Sequence, residues 1–466
     1  MLFTSLDFLL FLPLALALHG ALPPRRRWIG MLLASCVFYG WSRPSNLLLL
    51  GAVTLVTIAA GTALRDAQDL LARRAILGAG LALVLGALAA LKFHDFGFAT
   101  PAGFSFYAFC AASFIIDSYR REAPADASAG EVALYLAWFP KILAGPIERS
   151  TRFLPQLRDG LLADPGRVVL GSQLVLWGLV KKVLIADNLA PVVDRAFGIV
   201  AYASPVELAM SVYFFAFQIY CDFSGYTDIA IGLSLLFGIQ LMENFRRPYF
   251  SRSSAEFWGE RWHISLGRWF RDYLYIPLGG SRAGAVRRYL NVMIVFVASG
   301  FWHAGLGYGV GWTFVVWGAI NGAYLWTGIA SAPLWRRAAS RFPRVASSSA
   351  WTVLRVLVTF HLVAFAWIFF RARSIADAWT VVRRIGANAV QLVELLPNYP
   401  FTTEHYTGFA LIATLLAIEL ADERRSIFRR LAEAPATLRW ASCYAAIFAL
   451  LLLGRWQAKE FIYMQF

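Results

Sequence analysis

The chain has 466 residues, 59% of them hydrophobic and 15% charged, with a formal net charge of +15. A bilayer core about 30 Å thick is crossed by roughly 20 mostly apolar residues in a helix, and apolar blocks recur along the whole length, which excludes a soluble globular chain. The basic excess does not mark a nucleic-acid binder, since no soluble basic domain or aromatic-basic face carries it; positive loops beside anionic lipid account for it.

The clearest apolar cores are Leu2 to Leu18, Leu47 to Leu64, Ile76 to Leu91, Val168 to Ile185, Trp312 to Ile329, Val353 to Phe370, Phe409 to Leu420 and Tyr444 to Leu453. Shorter blocks bring the expectation to about eleven transmembrane or membrane-embedded helices. The pattern predicts an all-α polytopic membrane protein, with 1–466 as a single integral membrane domain, because no internal repeat or soluble boundary interrupts it. The first block reads as a retained span, since Arg25 to Arg27 follow its apolar run instead of preceding it. Arg25 to Arg27, then Arg65, Arg73 and Arg74, then Arg120 and Arg121 fall in alternate loops, whereas the intervening loops hold only Arg43 and Lys92. The positive-inside rule therefore places the N-terminus outside.

Polar interruptions follow. Pro124 to Gly130 reads as a short loop, Arg149 to Arg167 as a basic interfacial segment, and Pro333 to Ser349, with Arg336, Arg337, Arg341 and Arg344, as a solvated linker. Ala387 to Tyr406 is mixed in composition and reads as an extramembrane loop or a docking surface. Cys36, Cys110, Cys221 and Cys443 are isolated, without metal-ligand spacing or a disulfide framework, so no metal site is expected.

The chemistry concentrates between Arg247 and Gly305. Ser253 or Ser254 with Glu256 resembles a helix start, and no proline follows before Pro277, which predicts one continuous helix. On such a helix Gly259, His263, Leu266 and Phe270 share a face, and Glu260 comes within reach of the His263 ring. Trp258, Trp262 and Trp269 supply interfacial bulk. His303 follows an apolar run and is hemmed by Phe301, Trp302, Ala304, Gly305 and Gly307. An apolar setting favours the neutral imidazole, the form that accepts a proton from an attacking hydroxyl. Ionisable groups inside a membrane are functional by default. His19, His94, His361 and His405 lack a clustered polar setting and read as packing residues.

Four ordered motifs carry a resemblance: FPKILAGPIER at Phe139 to Arg149, FQIYCDFSGYTDIAIG at Phe217 to Gly232, RPYFSRSSAEFWGERWHISLGRWFRDYLYIPLGG at Arg247 to Gly280, and FWHAG ending at Gly305. Together they resemble the membrane-bound O-acyltransferase (MBOAT) family, and the likeness runs from the opening MLFTSLDFLLFLP to the closing FIYMQF. The resemblance implies helices around a central funnel or tunnel, with an acyl donor on the cytoplasmic side and an acceptor hydroxyl on the other. It places the catalytic histidine at His303 and the second histidine at His263. The family often reads WHG where this chain has Ala304 between His303 and Gly305.

The activity so implied is acyl transfer from a thioester, acetyl-CoA or another acyl thioester serving as substrate with no bound cofactor. His303 is then the general base and His263 orients the acyl group or stabilises its oxyanion. Asp222, Ser224, Tyr226 and Asp228 form a polar island that lines the tunnel or ties helices together, and Asn244, Tyr249 and Trp302 are grouped with them as lining candidates. Arg246, Arg247, Arg252, Arg268 and Arg271 are candidate contacts for donor phosphates, or for lipid headgroups. The expected setting is the bacterial inner membrane, with membrane lipid around the chain and a separate periplasmic polysaccharide O-acetyltransferase as partner. The expected product is an O-acetylated exported polysaccharide such as alginate or cellulose. D-alanyl transfer to teichoic acid and peptidoglycan O-acetylation are alternatives of the same chemistry. A lipid or glycan transporter is the alternative of another class, although repeated halves are not visible. No GxSxG elbow occurs, and GLGYGVG does not match GxGxxG.

Overall fold

Backbone within hydrocarbon must satisfy its own hydrogen bonds, and helices do so within one segment. The computed structural model describes the chain except residues 97–99, 160, 163, 283, 306–310, 389–393, 395, 425–426, 457–460 and 463–466, and the described residues contain no strand. Among the described residues, six helices are long and apolar enough to cross a membrane: Asn46–Asp66, Leu70–Phe93, Pro165–Gly198, Pro205–Leu236, Ser349–Arg371 and Ala436–Leu453, with Leu6–Ala21 a shorter apolar helix. Leu6, Leu9, Leu10 and Leu14 on the first helix, and Leu451 and Leu452 near the end of the last one, point outward. Apolar faces of that extent have lipid as their natural solvent. The protein is a multi-pass helical membrane protein.

Of the about eleven transmembrane or membrane-embedded helices expected, six among the described residues have spanning length and composition. Pro205–Leu236 is absent from the clearest sequence cores because its second half holds the Asp222 to Asp228 island. The linker expected over 333–349 is also corrected: helix Trp312–Arg341 continues through Pro333, and a further short helix spans Pro343–Ala346.

The chain forms two compact units. Met1–Leu184, Asp222–Glu243 and Arg425–Gln465 make one; Ile185–Cys221 and Asn244–Arg424 make the other. In the first unit, helices Pro165–Gly198 and Pro205–Leu236 meet along a seam without side chains. A Cβ at Gly178 would lie 2.5 Å from the Gly225 oxygen, and one at Gly232 would lie 2.5 Å from the Gly171 oxygen. Small residues repeated every two turns let helix backbones approach this closely. Beside the seam, Lys182 Nζ donates to Asp222 Oδ1 at 2.7 Å, and Lys181 pairs with Asp228 at 2.5 Å. The FPKILAGPIER segment is buried in the same unit. Tyr135 donates to the Glu148 carbonyl oxygen at 2.7 Å, and the Trp138 indole donates to Ser234 Oγ at 2.9 Å.

The second unit is organised around a hairpin of helices Ala285–His303 and Trp312–Arg341. A Cβ at Gly300 would sit 2.5 Å from the Phe314 oxygen, and one at Gly318 would sit 2.3 Å from the Phe296 oxygen. This contact sets the His303 end of one helix directly against the Phe314 to Trp317 turn of the other.

Candidate active site

The central motif does not fold as one continuous helix. Ser253 is the N-cap, its Oγ accepting from the Glu256 amide at 3.1 Å, but the helix that starts there is followed by a π-helical turn over Phe257–Arg261 and stops at Trp262. His263 has φ +45°, and a new helix runs from Ile264 to Phe270. Left-handed backbone is unusual for a residue with a Cβ, and such strain and π-turns gather at functional sites. The break comes from outside the helix. Asn244 accepts the Ile264 amide on its carbonyl at 2.9 Å, and its Oδ1 accepts the Ser265 amide at 3.1 Å and the Ser265 hydroxyl at 2.9 Å. Asn244 thus caps the second helix and turns His263 away from the register that spacing predicted; Glu260 is exposed whereas His263 is buried.

The two histidines converge on one indole. Ring centroids of His263 and Trp302 are 6.0 Å apart, and those of Trp302 and His303 are 4.6 Å apart. Each imidazole is only 4% exposed. Trp317 and Phe370 both stand 5.3 Å from the His303 ring, with Phe314 at 6.4 Å. Trp317 stacks on Trp367, which in turn lies 5.0 Å from Trp262. Burial pushes the His263 pKa down to about 3, so this ring is neutral at physiological pH. The indole N–H groups of Trp317 and Trp367 and the Asn244 Nδ2 are buried without a hydrogen-bond partner among the described residues. An unpartnered buried donor costs about 1–3 kcal/mol.

Ala304, the departure from the family pattern, is accommodated by glycine. A Cβ at Gly311, whose φ is +69°, would lie 2.6 Å from the Ala304 methyl. Gly307, expected beside His303, lies outside the described residues.

The remaining candidates separate by unit. Asp222, Ser224, Tyr226 and Asp228 belong to the first unit. There Asp222 also accepts the Ile462 amide at 2.8 Å, and Tyr226 donates to the Pro140 oxygen at 3.2 Å. In the sequence, their lysine partners are marked only by paired cations inside the apolar run VKKVLIA. In the second unit the Tyr249 hydroxyl donates to the Ala216 oxygen. Arg247 pairs with Asp422 and Glu423, and Arg261 joins the same network through Glu423 at 2.8 Å and Glu256 at 2.8 Å. Arg246, Arg252, Arg268 and Arg271 are exposed. Trp317, Trp367 and Phe370 carry no sequence signal of their own, because aromatics at helical spacing within apolar spans read as core. His19 bonds the Leu161 carbonyl, His361 the Leu357 carbonyl, and His405 the Thr402 amide, each a packing arrangement.

Residues 81–370, which include both histidines, match the profile of MBOAT, the membrane-bound O-acyltransferase family. This chain belongs to the MBOAT family. It is 37% identical over 410 residues to a "Probable alginate O-acetylase" of Azotobacter vinelandii, covering 81% of this chain and 77% of that protein. A Helicobacter pylori "Peptidoglycan O-acetyltransferase" is 38% identical over 268 residues, 57% of this chain and 48% of the relative. A Bacillus subtilis "Teichoic acid D-alanyltransferase" is 26% identical over 249 residues, 51% of this chain and 60% of the relative. The MBOAT protein is an O-acyltransferase, and membership of the family decides against the transport alternative.

Proposed function

We propose that this MBOAT protein is an O-acetyltransferase that moves an acetyl group from a cytoplasmic acyl thioester toward O-acetylation of an exported polysaccharide. The observation that carries the reading is the convergence of two buried imidazoles on Trp302, inside a cage of aromatic rings with unpartnered N–H donors. His303 takes the proton of the acceptor hydroxyl as its oxygen attacks the thioester carbonyl carbon. The negative charge that develops on the carbonyl oxygen is met by donors from Trp317, His263 or Trp367. Collapse breaks the carbon–sulfur bond, and the proton on His303 passes to the departing thiolate. Aromatic faces around His303 favour the transient imidazolium.

The acceptor class is inferred from the relatives. Similarity to an alginate O-acetylase over most of the chain favours alginate or a comparable exopolysaccharide, with a periplasmic O-acetyltransferase as partner in a bacterial inner membrane. Peptidoglycan acetylation and teichoic acid D-alanylation fit the same chemistry with less of the chain matched. Among the arginines, Arg246, Arg252 and Arg268 are the exposed candidates for donor phosphates, whereas Arg247 is held by two carboxylates. Asp222 and Asp228 serve the fold through their lysines rather than the substrate.

Deletion of the gene, followed by ester analysis of each exported glycan, tests the reading. One polymer is expected to lose its acetyl groups, and His303→Ala is expected to fail to restore them while accumulating in the membrane at the wild-type level, its transfer rate reduced about 10²- to 10⁴-fold. Restoration by His303→Ala, or unchanged esterification of every glycan, rejects it.

A further inference from the structure

The second unit contains a cavity of about 640 Å³ that does not include either histidine. It is walled by the helix hairpin, by the segment around Arg271 and Tyr275, and by Thr359 and Leu362 of helix Ser349–Arg371. That volume is in the range of sites for small molecules, which are mostly apolar with a few placed polar groups. The lining has a direction. Along helix Ala285–His303, Arg288, Val292 and Val295 succeed one another on one face, followed by Phe296. Arg271 joins Arg288 at the cationic end; it is brought there because Asn291 Nδ2 donates to the Leu278 and Gly280 carbonyls at 3.2 and 3.1 Å, fixing the end of the central motif onto this helix. Among the described residues the exposed Arg271 pairs only with its neighbour Asp272, and Arg288 forms no ion pair.

Aromatic residues mark the level of the arginines. Tyr275 and Tyr324 line the cavity, and next to Arg288 the Trp326 indole donates to the Tyr289 carbonyl at 2.7 Å. Tyrosine and tryptophan collect where headgroups meet hydrocarbon. Basic pockets between membrane helices at that level hold anionic headgroups.

We propose that this cavity is a binding site for an anionic membrane phospholipid, its phosphate on Arg288 and Arg271 and one acyl chain along Val292, Val295, Phe296 and Leu362. This goes beyond the acyl-transfer reading and does not depend on it. Gly328 forms part of the wall, and a Cβ there would meet nothing within 4 Å, so a large side chain at that position fills the groove without displacing backbone.

The test uses the full-length protein in phosphatidylcholine vesicles containing a small fraction of phosphatidylglycerol that carries a photoreactive group on one acyl chain, with labelled peptides read by mass spectrometry. Labelling of the 285–303 and 312–341 peptides is expected to exceed that by a matched photoreactive phosphatidylcholine. It is expected to fall about tenfold in Arg288→Glu, from the lost and reversed charge, and comparably in Gly328→Trp, and to be unaffected by millimolar coenzyme A or inorganic phosphate. Equal labelling by the zwitterionic probe, or undiminished labelling in both variants, overturns the proposal. Displacement by coenzyme A also overturns it and makes the cavity a donor site.

Discussion

His263 shows how much one residue's chemistry depends on its backbone. Sequence spacing put it on a helical face with Glu260, but Asn244 captures the next two amides and the histidine takes a left-handed conformation. The buried ring has a folded pKa near 3 against an ordinary value near 6.5. The unfolded chain therefore binds this proton first as pH falls. His263 takes stability away from about pH 6.5 downward to about pH 3, by up to about 1.4 kcal/mol per pH unit, and has no effect above that window. Thermal midpoints in detergent between pH 7 and pH 4 are expected to fall less steeply in His263→Gln than in the wild type; parallel slopes would contradict the assignment. Trp317 has a separate prediction. Trp317→Phe keeps an aromatic ring beside His303 but removes the N–H along with part of the indole, so kcat is expected to drop about a hundredfold with little change in KM, while an unchanged thermal midpoint separates the lost donor from lost packing. A wild-type kcat would remove Trp317 from the mechanism.

At the scale of elements, the glycine seam and the lysine pairs of the first unit act together. Close approach at Gly178 and Gly225 brings the polar side of each helix inward, where Lys182 and Asp222 are 2% and 3% exposed. Removing one member of a buried pair leaves an uncompensated charge, at a cost of about 3–5 kcal/mol, whereas replacing both with apolar residues is often neutral. Lys182→Met is thus expected to lower the thermal midpoint sharply, and Lys182→Met with Asp222→Leu to recover most of the loss, less the bond from the Ile462 amide. A double variant no better than the single one would mean that Asp222 has work apart from its lysine. The Asp222 to Asp228 island was conspicuous in the sequence, but its partners were not, because a helix pair is recognisable only when both helices are placed.

For the whole molecule, membrane topology follows from charge. The loop holding Arg65, Arg73 and Arg74 is expected in the cytoplasm, which sets the N-terminus outside. With the native cysteines replaced, a cysteine at the exposed position of Gln68 is expected to resist an impermeant maleimide in intact spheroplasts and to react after permeabilisation. Reaction in intact cells reverses the topology. The apolar blocks behind Asn46–Asp66, Leu70–Phe93, Pro165–Gly198, Ser349–Arg371 and Ala436–Leu453 were legible in the chain, as were the motifs that resemble the family, whereas Pro205–Leu236 was obscured by its own buried charges.

Hydropathy determined by itself that this is a multi-pass helical membrane protein, and residue type marked His303 and His263 as the candidates for its chemistry, because the cost of polar groups in hydrocarbon is local and independent of the fold. Tertiary structure alone decided that both imidazoles face Trp302, that Trp317 and Trp367 bring unpartnered donors to the same place, and that the aspartates are matched by lysines. Those facts depend on which helix faces approach one another, and on external caps such as Asn244. Neither leaves a period in the sequence.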